Sequence, residues 1–155
     1  MTKKIVVAGI GMIPFKKPGT SETYPMMGAG AARLALADAR VGYESIQAAY
    51  ASYIYGDSCA GQRVLYDIGM TGIPIINVHN NCSSGSNAIY LARQAIAAGE
   101  ADIVLAVGFE QMVPGALGSN FPDRPNPTGL FLEHIEKTLG KSEVPPAQTS
   151  LGAKP

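Results

Sequence analysis

Cys82 is the residue whose type and setting best fit chemistry. It stands in Asn80-Asn81-Cys82-Ser83-Ser84-Gly85-Ser86, between a β-branched run and an Ala-rich stretch, so it falls where a strand ends and a helix begins. In open α/β sheets, ligands bind beyond the carboxyl ends of the strands. The free N–H groups and the dipole at a helix start favour the thiolate, which is the nucleophilic form of cysteine. Ser83, Ser84, Gly85 and Ser86 are small and leave room for a substrate to approach. The plainer reading competes with this one: a free cysteine is often a small buried hydrophobe.

The other reactive types have weaker settings. Cys59, in Gly56-Asp57-Ser58-Cys59-Ala60-Gly61, reads as a loop cysteine without an evident base. His79 lies three residues before Cys82 but ends a strand, and reads as structural. His134 falls in a late helix with no partner pattern. Glu110, at the exit of a strand, reads as a carboxylate that ties down the following loop before it reads as an acid or base. Gly9-Ile10-Gly11 opens like a dinucleotide fingerprint, but the third glycine would fall where Pro14 stands and no helix opens there. No His, Cys and carboxylate cluster has metal-ligand spacing.

The elements that would position Cys82 follow from apolar runs and breakers. Ile5–Gly9, Ala48–Tyr55, Ile73–Val78 and Ala101–Val107 read as four buried strands, each short and closed by a turn signal. Met27–Ala39, Gln62–Ile68 and Ser83–Ala98 read as the helices between them. Alternating strand and helix predicts an α/β layer, doubly wound around a mostly parallel sheet. After Glu110 the regularity fades: Val113–Gly129, with its prolines and glycines, reads as an excursion from the sheet, and Leu130–Leu139 as one more helix. Ser142–Pro155 has three prolines and no periodicity, which predicts a disordered end. From Ile68 through Ala92 there is no Asp, Glu, Lys or Arg, although Pro74 and the polar Asn80–Ser84 cluster rule out a membrane span there. A helix apolar on nearly every side belongs in a large core. One sheet covers one of its faces, so a second layer or a partner is expected on the other.

Composition narrows the class. The chain has 155 residues, about one domain, with 12 Lys+Arg against 12 Asp+Glu, so its formal net charge is zero. That balance offers no global attraction for nucleic acid or an anionic membrane. The 46% hydrophobic and 15% charged content points to extensive buried surface. Two cysteines do not make a disulfide scaffold and fit a reducing compartment. The run Ile5–Ala8 after Met1-Thr2-Lys3-Lys4 is too brief for a signal peptide, so a soluble intracellular chain is expected.

Several motifs in order resemble the amino-terminal half of thiolases. They are Asn80-Asn81-Cys82-Ser83-Ser84-Gly85-Ser86-Asn87-Ala88, Gly99-Glu100-Ala101-Asp102 and Gly108-Phe109-Glu110-Gln111-Met112. Gly56-Asp57-Ser58, Gly61-Gln62-Arg63 and Gly69–Val78 are similar to the sterol-carrier-protein-type 3-ketoacyl-CoA thiolases. The likeness runs from about Lys4 to Thr138. It implies an α-β-α-β-α layered fold, with residues 1–116 as its amino-terminal α/β half. It also implies the start of a loop domain over 117–141, which helps to cradle coenzyme A, and leaves 142–155 as a tail.

The same resemblance makes Cys82 the nucleophile that takes an acyl group from acyl-CoA as a thioester, with coenzyme A as co-substrate and no other cofactor. It pairs subunits through Ile75–His79, which implies a homo-oligomer or a complementing carboxyl-terminal half. The family's histidine base, second cysteine and most of its oxyanion hole lie in that carboxyl-terminal half. His79, His134 and Cys59 do not align with them, so turnover by this chain is expected to be incomplete. Two other functions stay open, a thiolase-like retro-aldol lyase and a non-catalytic assembly or regulatory subunit.

Overall fold

The computed structural model describes residues 4–114, 121 and 123–140. The chain divides into two units, Met1–Gln111 and Met112–Pro155. In the first unit, helix α1 (Tyr24–Ala39) precedes strand β1 (Ala48–Ser52), helix α2 (Ala60–Tyr66), strand β2 (Ile75–Val78), helix α3 (Ser84–Ala98) and strand β3 (Val104–Gly108). The three strands form a parallel sheet in the order β2-β1-β3, with Ala49 opposite both Ile75 and Leu105. The chain steps outward from β1 through α2 and returns past β1 through α3. Right-handed crossovers in both directions place those helices on opposite faces.

Side chains sort by strand alternation. Ala49, Ala51 and Tyr53 join Leu105, Val107 and Phe109 under α1 and α2, where Ala32, Leu36, Val64 and Leu65 close the core. Each fully buried aliphatic side chain of this kind contributes roughly 1.5–3 kcal/mol. On the other face Ser52 lies against Gly108 and near Gly85 of α3. Ala49 and Ala51 of the central strand, small and fully buried, let α1 and α2 come close.

The boundaries shift for local reasons. Helix α1 begins at Tyr24, earlier than the Ala-rich run, because Pro25 sits in its first turn, where a missing N–H costs nothing. It ends as Arg40 turns left-handed and gives its N–H to Ala37 and Leu36 carbonyls. Helix α3 ends at Gly99, whose φ of +80° suits glycine. Strand β2 starts only at Ile75. An amide clasp secures its outer side: the Gly61 N–H donates to Asn77 Oδ1 (2.9 Å), Asn77 Nδ2 to Gln62 Oε1 (2.8 Å), and Gln62 Nε2 to the Ile75 carbonyl (3.2 Å).

The expected first strand, Ile5–Gly9, is a correction: the sheet has three strands among the described residues. This segment instead runs along α1, where Gly9 and Gly11 pass so close to Ala35 that a Cβ on either would collide. The Ile10 N–H donates to Asp38 at 2.9 Å. A strand exists by pairing, and Val7, 78% exposed, has no ladder bond to a neighbour among the described residues.

In the second unit, helix α4 (Gly129–Leu139) follows a turn in which Asn126 Oδ1 accepts both the N–H and the hydroxyl of Thr128 at 2.9 Å. No residue of α4 is buried, and Leu130 is 82% exposed. The expected start of a loop domain at Leu117 and the expected tail 142–155 lie outside the described residues.

Candidate active site

Cys82 stands on a tight turn between β2 and α3, as its sequence setting predicts. Asn81 takes a positive φ of 47°, a conformation that asparagine tolerates better than most residues. Two hydroxyls knit the turn. Ser84, nearly fully buried, accepts the Asn80 N–H (2.8 Å) and donates to the Asn81 carbonyl (2.7 Å). Ser83 donates to the Asn80 carbonyl at 2.7 Å. Cys82 itself is exposed and forms an isolated backbone bridge with Asn80. The thiol therefore lies on an exposed corner at the start of a helix of 15 residues.

Two neighbouring strand ends contribute side chains. Glu110 follows β3, and its two carboxylate oxygens accept the N–H groups of Ile54 (2.8 Å) and Tyr55 (2.9 Å) beyond β1. It ties down the loop after β1 and not the loop that follows Glu110 itself, because the peptide N–H groups beyond the neighbouring strand are the donors within its reach. Burial pushes the Tyr55 phenol up from its ordinary value of 10.0, and the charges of Glu110 and Cys82 push it further the same way. Ser52, buried at the end of β1, donates to the Val107 carbonyl (3.2 Å). Neither Ser52 nor Tyr55 stood out in the sequence. A serine closing an otherwise apolar strand was the only signal for the first, and a tyrosine after the same strand carries none by itself.

The remaining candidates are placed apart or put to structural use. The His79 ring packs edge-on against Tyr53, with centroids 4.4 Å apart. Tyr53 in turn stacks on Phe109 at 5.0 Å, and Phe109 on Tyr24 at 5.5 Å. Cys59 precedes α2 with a left-handed backbone, φ 63°, and its thiol is exposed. His134 belongs to α4 in the second unit. No group of three or more His, Cys, Asp or Glu residues could hold a metal ion among the described residues. No helix among them is long and apolar enough to cross a membrane. A cleft of about 430 Å³ lies at the start of β2, the end of the strand away from Cys82, between Tyr43, Tyr66, Met70, Thr71, Ile73 and Ile75.

Comparison with known proteins sets this chain in a family. Sterol carrier protein 2 of Oryctolagus cuniculus is 47% identical over 97% of this chain, which spans 28% of the length of that protein. Benzoylsuccinyl-CoA thiolase subunit BbsB of Thauera aromatica is 35% identical over 71% of the chain and 29% of its own length. Among solved structures, 3-oxoacyl-[acyl-carrier-protein] synthase III of Aquifex aeolicus superposes with a TM-score of 0.58 at 22% identity, over 66% of this chain and 34% of that one. That likeness is one of fold, and it matches the α/β architecture expected from the sequence. The model of the thiolase N-terminal domain matches residues 5–121. The chain belongs to the thiolase family, and the segment matched is the family's amino-terminal domain.

Proposed function

We propose that this chain supplies the acyl-accepting half of a thiolase acting on 3-ketoacyl-CoA, in the metabolism of fatty acyl groups. Cys82, as thiolate, attacks the β-carbonyl. The bond from that carbon to the α-carbon breaks, the acyl group stays on sulfur as a thioester, and the departing acetyl-CoA carbanion takes up a proton. Coenzyme A then attacks the thioester and leaves as acyl-CoA while the Cys82 thiolate is regenerated; the condensation is the same path reversed. The observation that carries this reading is the exposed Cys82 thiol on the turn that joins β2 to α3. A backbone donor at that helix start would stabilise the negative charge that develops on the carbonyl oxygen.

The proton transfers need a base for the incoming thiol and an acid for the carbanion. By resemblance those groups come from the family's carboxyl-terminal half, supplied by a continuing or complementing chain. Coenzyme A is the co-substrate, a second copy is the expected subunit partner, and a reducing compartment, cytoplasm or peroxisome, suits the thiol. The test is incubation of the 155-residue chain with acetyl-CoA, whose acetyl group passes to the thiol with release of coenzyme A and with no carbanion to protonate, followed by peptide mass spectrometry. Acetylation of Cys82 and not of Cys59, lost in Cys82→Ala, is the expected result. Absence of acetyl-Cys82 in folded chain would sink the reading and favour an assembly role.

A further inference from the structure

Three strand ends lie along the carboxyl edge of the sheet in the order β2-β1-β3, and the bonds between them are unequal. Cys82 follows β2, Tyr55 follows β1 and Glu110 follows β3. The β1 and β3 ends are locked together: the Phe109 N–H donates to the Ser52 carbonyl (3.1 Å), and both oxygens of Glu110 are spent on the N–H groups of Ile54 and Tyr55. A carboxylate that accepts two adjacent backbone donors fixes the orientation of that peptide pair, because both lone-pair directions are used at once. Ser52 reaches across the same junction and lies 3.9 Å from where a Cβ on Gly85 would stand, so the first turn of α3 rests on the end of β1. Tyr55 is half-buried there, although its loop holds Gly56 and no regular structure.

We infer that Glu110 is a positioning residue: through the Ile54 and Tyr55 backbone it holds the Tyr55 ring as the β1-side wall of the approach to Cys82. The electrostatic influence of both Glu110 and Cys82 on the Tyr55 phenol is consistent with that closeness. The wall serves the acyl transfer proposed above by limiting the directions from which a bulky thioester reaches the sulfur. Glu110 itself touches no reacting atom. Its carboxylate accepts one peptide N–H on each oxygen, the geometry of a tether between the two strand ends.

The experiment compares two thiol reagents, small iodoacetamide and a bulky fluorescein maleimide, on the folded 155-residue chain, with modification read separately at Cys82 and Cys59. Glu110→Ala should raise the bulky-to-small rate ratio at Cys82 by about threefold or more and leave the ratio at Cys59 unchanged. Tyr55→Ala should raise it equally, and the double variant should add nothing further. Glu110→Gln, whose amide oxygen can accept one of the two N–H groups, should fall between. General loosening of the fold would move both cysteines and is checked by the Cys59 ratio. An unchanged Cys82 ratio in Glu110→Ala, or effects of Glu110→Ala and Tyr55→Ala that multiply, would overturn the inference. This readout is independent of acylation: if the wild-type chain resists acetyl-CoA while the variants show the ratio change, the thiolase reading is lost and the wall stands.

Discussion

The hydroxyl of Tyr53 joins two parts of the Gly56–Gly61 loop, donating to the Asp57 carbonyl (3.1 Å) and accepting the Ala60 N–H (3.2 Å). Tyr53→Phe keeps the ring stack on Phe109 and leaves the buried Ala60 N–H with only its contact to Asp57. A loss of about 1–2 kcal/mol in urea unfolding is expected. Burial, ahead of every other cause, raises the phenols of Tyr43, Tyr53 and Tyr55 above their ordinary 10.0. The sign of the pH effect follows. As pH rises the unfolded chain gives up these protons first, so the stability they contribute is complete below the ordinary phenol value and is lost as pH climbs through the raised ones. Urea midpoints should therefore fall between about pH 9 and about pH 11, and fall less in Tyr53→Phe. A midpoint indifferent to alkali would refute this assignment.

Packing at the level of elements makes a sharper demand. Gly61, in the first turn of α2, faces Ala51 of β1 and Asn77 of β2; a Cβ there would stand 2.6 Å from Asn77 Oδ1 and closer still to the Ala51 methyl. Gly61→Ala should cost roughly 1–3 kcal/mol by overpacking and should open the amide clasp, seen as faster amide exchange at Gly61. The same elements show what the sequence could reveal. Three strands and four helices were legible because their apolar runs end in Gly, Pro or Asn, and Cys82 was placed by the strand and helix on either side of it. Ile5–Gly9 misled because β-branched residues mark a strand's composition without naming its neighbour, and the pairing is absent among the described residues. Glu110 was readable as a tether, but its partners 55 and 56 residues away were not, since hydrogen bonds between strand ends leave no local pattern.

For the whole molecule, unpaired surface is the dominant fact. Helix α3 buries Ser84, Ala88, Ala92 and Ala95 on the sheet, whereas Ile89, on its other side, is 62% exposed. Apolar surface of this kind favours association. The resemblance pairs subunits along Ile75–His79, and Ile76 on that edge strand is exposed. Ile76→Lys should shift sedimentation toward smaller species; an unaltered monodisperse oligomer would exclude this edge as the contact. A steady-state assay of the purified chain with acetoacetyl-CoA and coenzyme A should show no sustained turnover, and turnover abolished by Cys82→Ala would prove this half sufficient. The clasp on β2 bears on any such assembly. The Ala49 N–H bonds the Pro74 carbonyl at 2.9 Å, so the next carbonyl, Ile75, faces away from β1, and Gln62 Nε2 already occupies it. The first open acceptor on that side, among the described residues, belongs to Asn77. An incoming strand slipped by one residue would turn every side chain to the wrong face. Were a second strand to dock along β2, Gln62 at the Ile75 carbonyl would work as an end stop on a ruler, favouring a phase that begins at Asn77, toward the end of β2 nearest the cysteine.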